Sequence, residues 1–93
     1  RIKDVPTDKS KALIVSWAEN LNAMLESLHL PGEAVSADTT DGLRVTLSSG
    51  DIVHLRPSGN APELRCYAEA GNYLQAKALV NQCLERVNKV INA

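Results

Sequence analysis

The stretch Leu43-Arg44-Val45-Thr46-Leu47-Ser48-Ser49-Gly50-Asp51-Ile52-Val53-His54-Leu55-Arg56 decides the fold. Leu43, Val45 and Leu47 alternate with Arg44, Thr46 and Ser48, the two-residue period of a half-buried β-strand. Ser48-Ser49-Gly50-Asp51 reads as a hairpin turn. After it, Val53 and Leu55 face one way and Ile52, His54 and Arg56 the other. The stretch is therefore an antiparallel hairpin with one apolar and one polar face. Upstream, Asp41-Gly42 is a turn signal, and Glu33 to Thr39 reads as a short edge strand. Downstream, Glu63 to Ala70 is a further strand, with Leu64, Cys66 and Ala68 on the apolar side and Arg65, Tyr67 and Glu69 opposite.

A helix is expected on each side of these strands. Ile14, Trp17, Ala18, Leu21, Met24, Leu25 and Leu28 recur at steps of three and four, which gathers them on one helical face. Thr7 or Asp8 is placed to cap that helix, and Pro31-Gly32 ends it near Leu28 to Leu30. Arg1 to Pro6 is a short leader, either the end of a strand or an interdomain link. The last helix begins at Asn72, with Gln75 in position for a weak capping box. Its stripe is Ala76, Leu79, Val80, Cys83, Val87, Val90 and Ile91. Two helices with one apolar face each, and strands with one apolar face each, are satisfied together by helices on one side of the sheet. The expected architecture is α+β: a two-layer sandwich with an antiparallel four-stranded sheet and two helices on one face. Residues 1–93 form a single domain on this reading.

Between the last two strands lies Arg56-Pro57-Ser58-Gly59-Asn60-Ala61-Pro62. The prolines fix their own φ angles, and Gly59 permits a positive φ. Successive N–H groups in such a turn can converge on an anion. Arg56 adds a fork of donors that matches phosphate oxygens in pairs. An ordinary β-turn uses the same residue types.

Composition narrows the classes. The chain has 93 residues, a formal net charge of −1 and only 3% aromatic residues. It lacks the basic excess and the stacking platforms expected of a nucleic-acid binder, and nothing approaches the run of about 20 apolar residues that spans a bilayer. No secretory signal is visible, which points to a cytoplasmic protein. Cys66 and Cys83 read as buried thiols without metal-ligand spacing. Strand parity puts His54 and Cys66 on opposite faces, against a Cys–His nucleophile. Asp38 and Asp41 read as turn caps, and Arg65 as a solvated or ion-paired side chain near the loop.

The runs Asp41-Gly42-Leu43-Arg44-Val45 and Leu55-Arg56-Pro57-Ser58-Gly59-Asn60-Ala61-Pro62-Glu63-Leu64-Arg65-Cys66-Tyr67-Ala68-Glu69-Ala70 resemble the C-terminal domain of the α-D-phosphohexomutases, of phosphomannomutase/phosphoglucomutase type. The resemblance covers essentially the whole chain. It implies an excised fourth domain of a larger enzyme that interconverts hexose 1-phosphate and hexose 6-phosphate through a phosphoserine. It implies that Arg56, Ser58, Gly59 and Asn60 bind the non-transferred phosphate of mannose or glucose phosphates while the domain closes over the cleft, swinging about its N-terminal link. It further implies that Mg²⁺ belongs to the parent enzyme and not to this domain, that the partners are the phosphosugar and the parent's other domains, and that this fragment alone catalyses nothing. Asn60 and Ala61 depart from the family's usual threonine and glutamate. The alternative is a free-standing regulatory α+β module that binds a small anion. A protein-interaction domain with an ordinary turn is a further rival.

Overall fold

The computed structural model describes residues 1–93. The strands are β1 (Ile2–Lys3), β2 (Ala34–Asp38), β3 (Leu43–Leu47), β4 (Ile52–Pro57) and β5 (Glu63–Glu69), and the helices are α1 (Thr7–Glu19), α2 (Leu21–Ser27) and α3 (Tyr73–Ile91). They form an antiparallel five-stranded sheet in the order β1-β5-β4-β3-β2. The α+β architecture stands as expected, with one more strand and one more helix than the sequence suggested.

The additional strand is the leader. Ile2 pairs with Leu64 and Lys3 with Glu63, and the Val5 N–H donates to the Pro62 carbonyl at 2.8 Å. The strand reading of Arg1 to Pro6 is thus the observed one. β2 lies at the other edge of the sheet, also as read.

The additional helix comes from a break at Asn20. Its backbone leaves the helical region at φ −145° and ψ 82°, and its side-chain oxygen accepts the Ala23 N–H at 3.2 Å, capping α2. Asparagine offers the backbone such a local alternative to continued helix, and the apolar periodicity runs through the break without marking it. Neither Thr7 nor Asp8 caps α1: its N-cap position is Pro6, without a side-chain hydrogen bond. Asn72 does cap α3, accepting the Gln75 N–H at 2.9 Å.

The end of α2 accounts for its carbonyls completely. His29 takes φ 54°. Its N–H donates to the Glu26 carbonyl at 3.2 Å, and the Leu30 N–H reaches back to the Leu25 carbonyl at 2.8 Å. This is a Schellman motif with histidine where glycine is usual, and it brings buried Leu25 and Leu30 together. The remaining carbonyls are met from α3. Gln82 Nε2 donates to Leu28 and His29, at 2.9 Å each, and Arg86 Nε donates to Ser27 at 3.0 Å.

Leu43, Val45, Leu47, Val53, Leu55 and Leu64 from the sheet pack with Trp17, Met24, Leu28, Cys83 and Val87 from the helices in one core. Each fully buried aliphatic side chain contributes about 1.5–3 kcal/mol relative to exposure. No helix is long and apolar enough to cross a membrane.

Candidate phosphate-binding loop

β4 carries Arg56 to the polar face and ends in Pro57, and β5 begins at Glu63. The loop between them is closed by the Ser58 N–H, which donates to the Glu63 carbonyl at 2.9 Å. The Asn60 N–H donates to the Ser58 hydroxyl oxygen at 3.3 Å. That bond leaves the hydroxyl proton of Ser58 to donate elsewhere, although Ser58 is only 8% exposed. Gly59 does not adopt the positive φ expected of it, and a Cβ there would meet no atom within 4 Å. The turn is made by hydrogen bonds to Ser58, so glycine is not required by backbone strain.

Sequence reasoning missed the partner of Arg56. Its Nε donates to Asp41 Oδ1 at 3.2 Å and lies 3.0 Å from Oδ2. The hydrogen bond runs through Nε, and none runs from either Nη group. Asp41 is brought there by Gly42, whose φ is 72°. A Cβ on Gly42 would collide with the Leu55 carbonyl and stand 3.0 Å from the Arg56 Cα. His54 Nε2 donates to the Asp41 carbonyl from the same face of β4. Asp41 is therefore more than the turn cap read from the sequence. Asp38 does play that part, accepting the Thr40 N–H at 2.8 Å. Hydrogen bonds from the Thr40 hydroxyl and N–H hold its carboxyl below the usual range. The signal for Asp41 was the Asp-Gly pair itself, but its contact with β4 needs the folded sheet.

Arg56 stands directly across from Arg65 in the β4–β5 register. Arg56 has Asp41, while Arg65 Nε lies 3.8 Å from Glu63 Oε2, an oxygen that Arg1 also approaches at 3.7 Å. Arg65 is thus ion-paired, one of the two states expected. Arg44 donates to Glu69 at 2.8 Å, and the rings of His54 and Tyr67 are 5.8 Å apart. The polar face is of mixed sign, as read. On the helix side of the loop a cavity of about 490 Å³ is lined by Lys11, Thr39, Thr40, Asp41, Ser58 and Gly59 among others.

The family described as "Phosphoglucomutase/phosphomannomutase, C-terminal domain" matches residues 5–86. The chain belongs to this family. A phosphomannomutase from Sinorhizobium fredii (strain NBRC 101917 / NGR234) is 41% identical over 88 residues, which are 95% of this chain and 19% of that protein. A phosphomannomutase from Salmonella muenchen is 38% identical over 88 residues, 94% of this chain and 18% of that protein. The chain thus spans about a fifth of the length of these curated relatives. The match runs from the turn after β1 into α3, so it takes in Asp41, Gly42 and the whole Arg56 to Pro62 loop.

Proposed function

We propose that the chain is the substrate-phosphate-binding domain of a phosphohexomutase of the phosphomannomutase type. Arg56, Ser58, Gly59 and Asn60 hold the phosphate that is not being transferred. The observation that carries this reading is the state of Arg56 in a chain of this family. Its guanidinium is anchored through Nε at the root of the loop, and its Nη groups have no hydrogen-bond partner within the chain. A guanidinium can then offer two parallel N–H bonds to phosphate oxygens. The Ser58 hydroxyl, already accepting from Asn60, donates its proton, and the exposed Gly59 lets the ligand approach the backbone.

In the parent enzyme, phosphoryl transfer between a phosphoserine and the sugar depends on positioning and charge stabilisation. A clamp on the far phosphate spends remote binding energy on positioning the reacting end. Because it contacts phosphate and not the ring, it accepts either end of a bisphosphorylated intermediate. Mg²⁺ would be held by the rest of the parent, as the resemblance to the phosphohexomutases implies. The domain closes over the cleft as a lid. The swing would take place about the N-terminal link near Arg1 to Pro6.

The test is an NMR titration of the labelled chain with mannose 1-phosphate, mannose 6-phosphate, inorganic phosphate and unphosphorylated mannose. The expected result is amide shifts at Ser58, Gly59 and Asn60 with all three phosphates, none with mannose, and loss in Arg56→Ala. An isolated clamp should bind at about the millimolar level, roughly 4 kcal/mol. Shifts clustered elsewhere, or untouched by Arg56→Ala, overturn the assignment.

A further inference from the structure

We propose that Asp41 is a positioning residue for phosphate recognition, one that orients Arg56 and does not itself touch the ligand. The inference rests on the phosphate reading of the loop. A carboxylate beside an anion site should oppose anion binding, so its presence there calls for a physical reason. The geometry supplies one. Asp41 engages Arg56 only through Nε, with its two oxygens at 3.2 and 3.0 Å. A guanidinium is planar and rigid, so fixing Nε fixes the direction of the Nη pair. Left free, a side chain 43% exposed would sample many rotamers, and ordering it would cost binding energy.

Asp41 is itself held at two points. His54 Nε2 donates to its carbonyl oxygen. Gly42 allows its turn to lie against β4 at Leu55 and Arg56, closer than any side chain would permit. Both supports come from β4, the strand that carries Arg56. The carboxylate and the guanidinium are therefore placed by one rigid element. Arg65, directly across from Arg56, pairs with Glu63 at 3.8 Å, a carboxylate it shares with Arg1, and makes no ion pair with Asp41.

Two opposite effects of Asp41 separate in a pair of variants. Asp41→Asn removes the charge and keeps both a side-chain acceptor for Nε and the backbone carbonyl. Asp41→Ala removes both charge and acceptor. If Asp41 positions Arg56, inorganic phosphate should bind Asp41→Ala several-fold more weakly, and Asp41→Asn equally or more tightly. The loss should reach about fivefold at most, the scale of an exposed ion pair. A carboxylate that merely opposes the anion makes both variants bind more tightly, and a turn residue without influence on Arg56 leaves both unchanged. Either outcome overturns the proposal.

A ligand-free measurement keeps the proposal separable from the phosphate reading. The Nε–H order parameter of Arg56 should stand above about 0.6, the boundary of flexible groups. It should fall below that in Asp41→Ala and be retained in Asp41→Asn. Equal order in all three proteins overturns the positioning role. If wild type shows no phosphate-induced shifts, the phosphate reading fails and the positioning role in recognition falls with it. The order parameters then show whether the orienting contact itself exists.

Discussion

The hydroxyl oxygen of Ser58 accepts the backbone N–H of Asn60 at 3.3 Å, and Gly59 between them has open space where a side chain would stand. The free loop therefore has no steric need for glycine, and any need must come from the ligand. Gly59→Ala should leave stability within about 0.5 kcal/mol of wild type. If phosphate approaches the Gly59 backbone, the same variant should weaken its binding at least tenfold, read from the amide titration. Unchanged affinity would remove Gly59 from the clamp.

Gly42 presents the opposite case. Its φ of 72° lies in the left-handed region, and a Cβ would press on the Leu55 carbonyl. Gly42→Ala should cost at least about 2 kcal/mol, the sum of a left-handed penalty and overpacking. Gly50, with φ 92° and nothing within 4 Å, supplies the control. Gly50→Ala should carry only the positive-φ penalty, about 1–2 kcal/mol, without the overpacking added at Gly42. Urea unfolding of both variants measures the difference, and equal costs would mean that the turn can move off β4.

His29 occupies the left-handed position of the α2 terminus at φ 54°. An L-residue there costs about 1–2 kcal/mol, partly offset by the larger chain entropy of an unfolded glycine. His29→Gly should stabilise the protein by about 0.5–1 kcal/mol, seen as a raised urea midpoint at unchanged slope. A lowered midpoint would show that the imidazole makes a contribution of its own.

Cys66 and Cys83 are buried side by side between β5 and α3. Hydrogen bonding to Cys66, reinforced by burial, pushes the Cys83 thiol far above its ordinary range, and the same contact lowers Cys66. In the unfolded chain the thiol ionises near pH 8.5. Above that pH the folded state holds more protons than the unfolded state, so stability falls as pH rises. The contribution of Cys83 is complete below pH 8.5 and declines above it by about 1 kcal/mol per pH unit; the lowered Cys66 acts only below that pH and in the opposite sense. Urea unfolding between pH 7 and pH 10 should show this excess slope in wild type. It should be absent in Cys66→Ala/Cys83→Ala, and parallel slopes would refute the raised thiol.

Most of the architecture was legible because the apolar periods of the chain are clean. Val45 and Leu64 alternate with polar neighbours, and Met24, Leu28, Cys83 and Val87 recur at helical spacing. Burial follows that pattern on every one of them. What escaped were features that do not depend on apolar periodicity. The break at Asn20 rests on one side-chain hydrogen bond to Ala23. The pairing of Ile2–Lys3 with β5 joins residues some sixty positions apart through backbone groups that every sequence possesses.

The same division runs through the candidate site. By itself the sequence determined the α+β class, the family, and the loop from Arg56 to Pro62 with its donors in order. These depend on local pattern: residue type, spacing and turn chemistry. Only the tertiary structure decided that Arg56 meets Asp41 through Nε, that Ser58 holds the loop closed, and that glycine is demanded at Gly42 and not at Gly59. Those are relations between backbones and side chains brought together by strand register. Neighbouring residues along the chain carry no record of them until the sheet has formed.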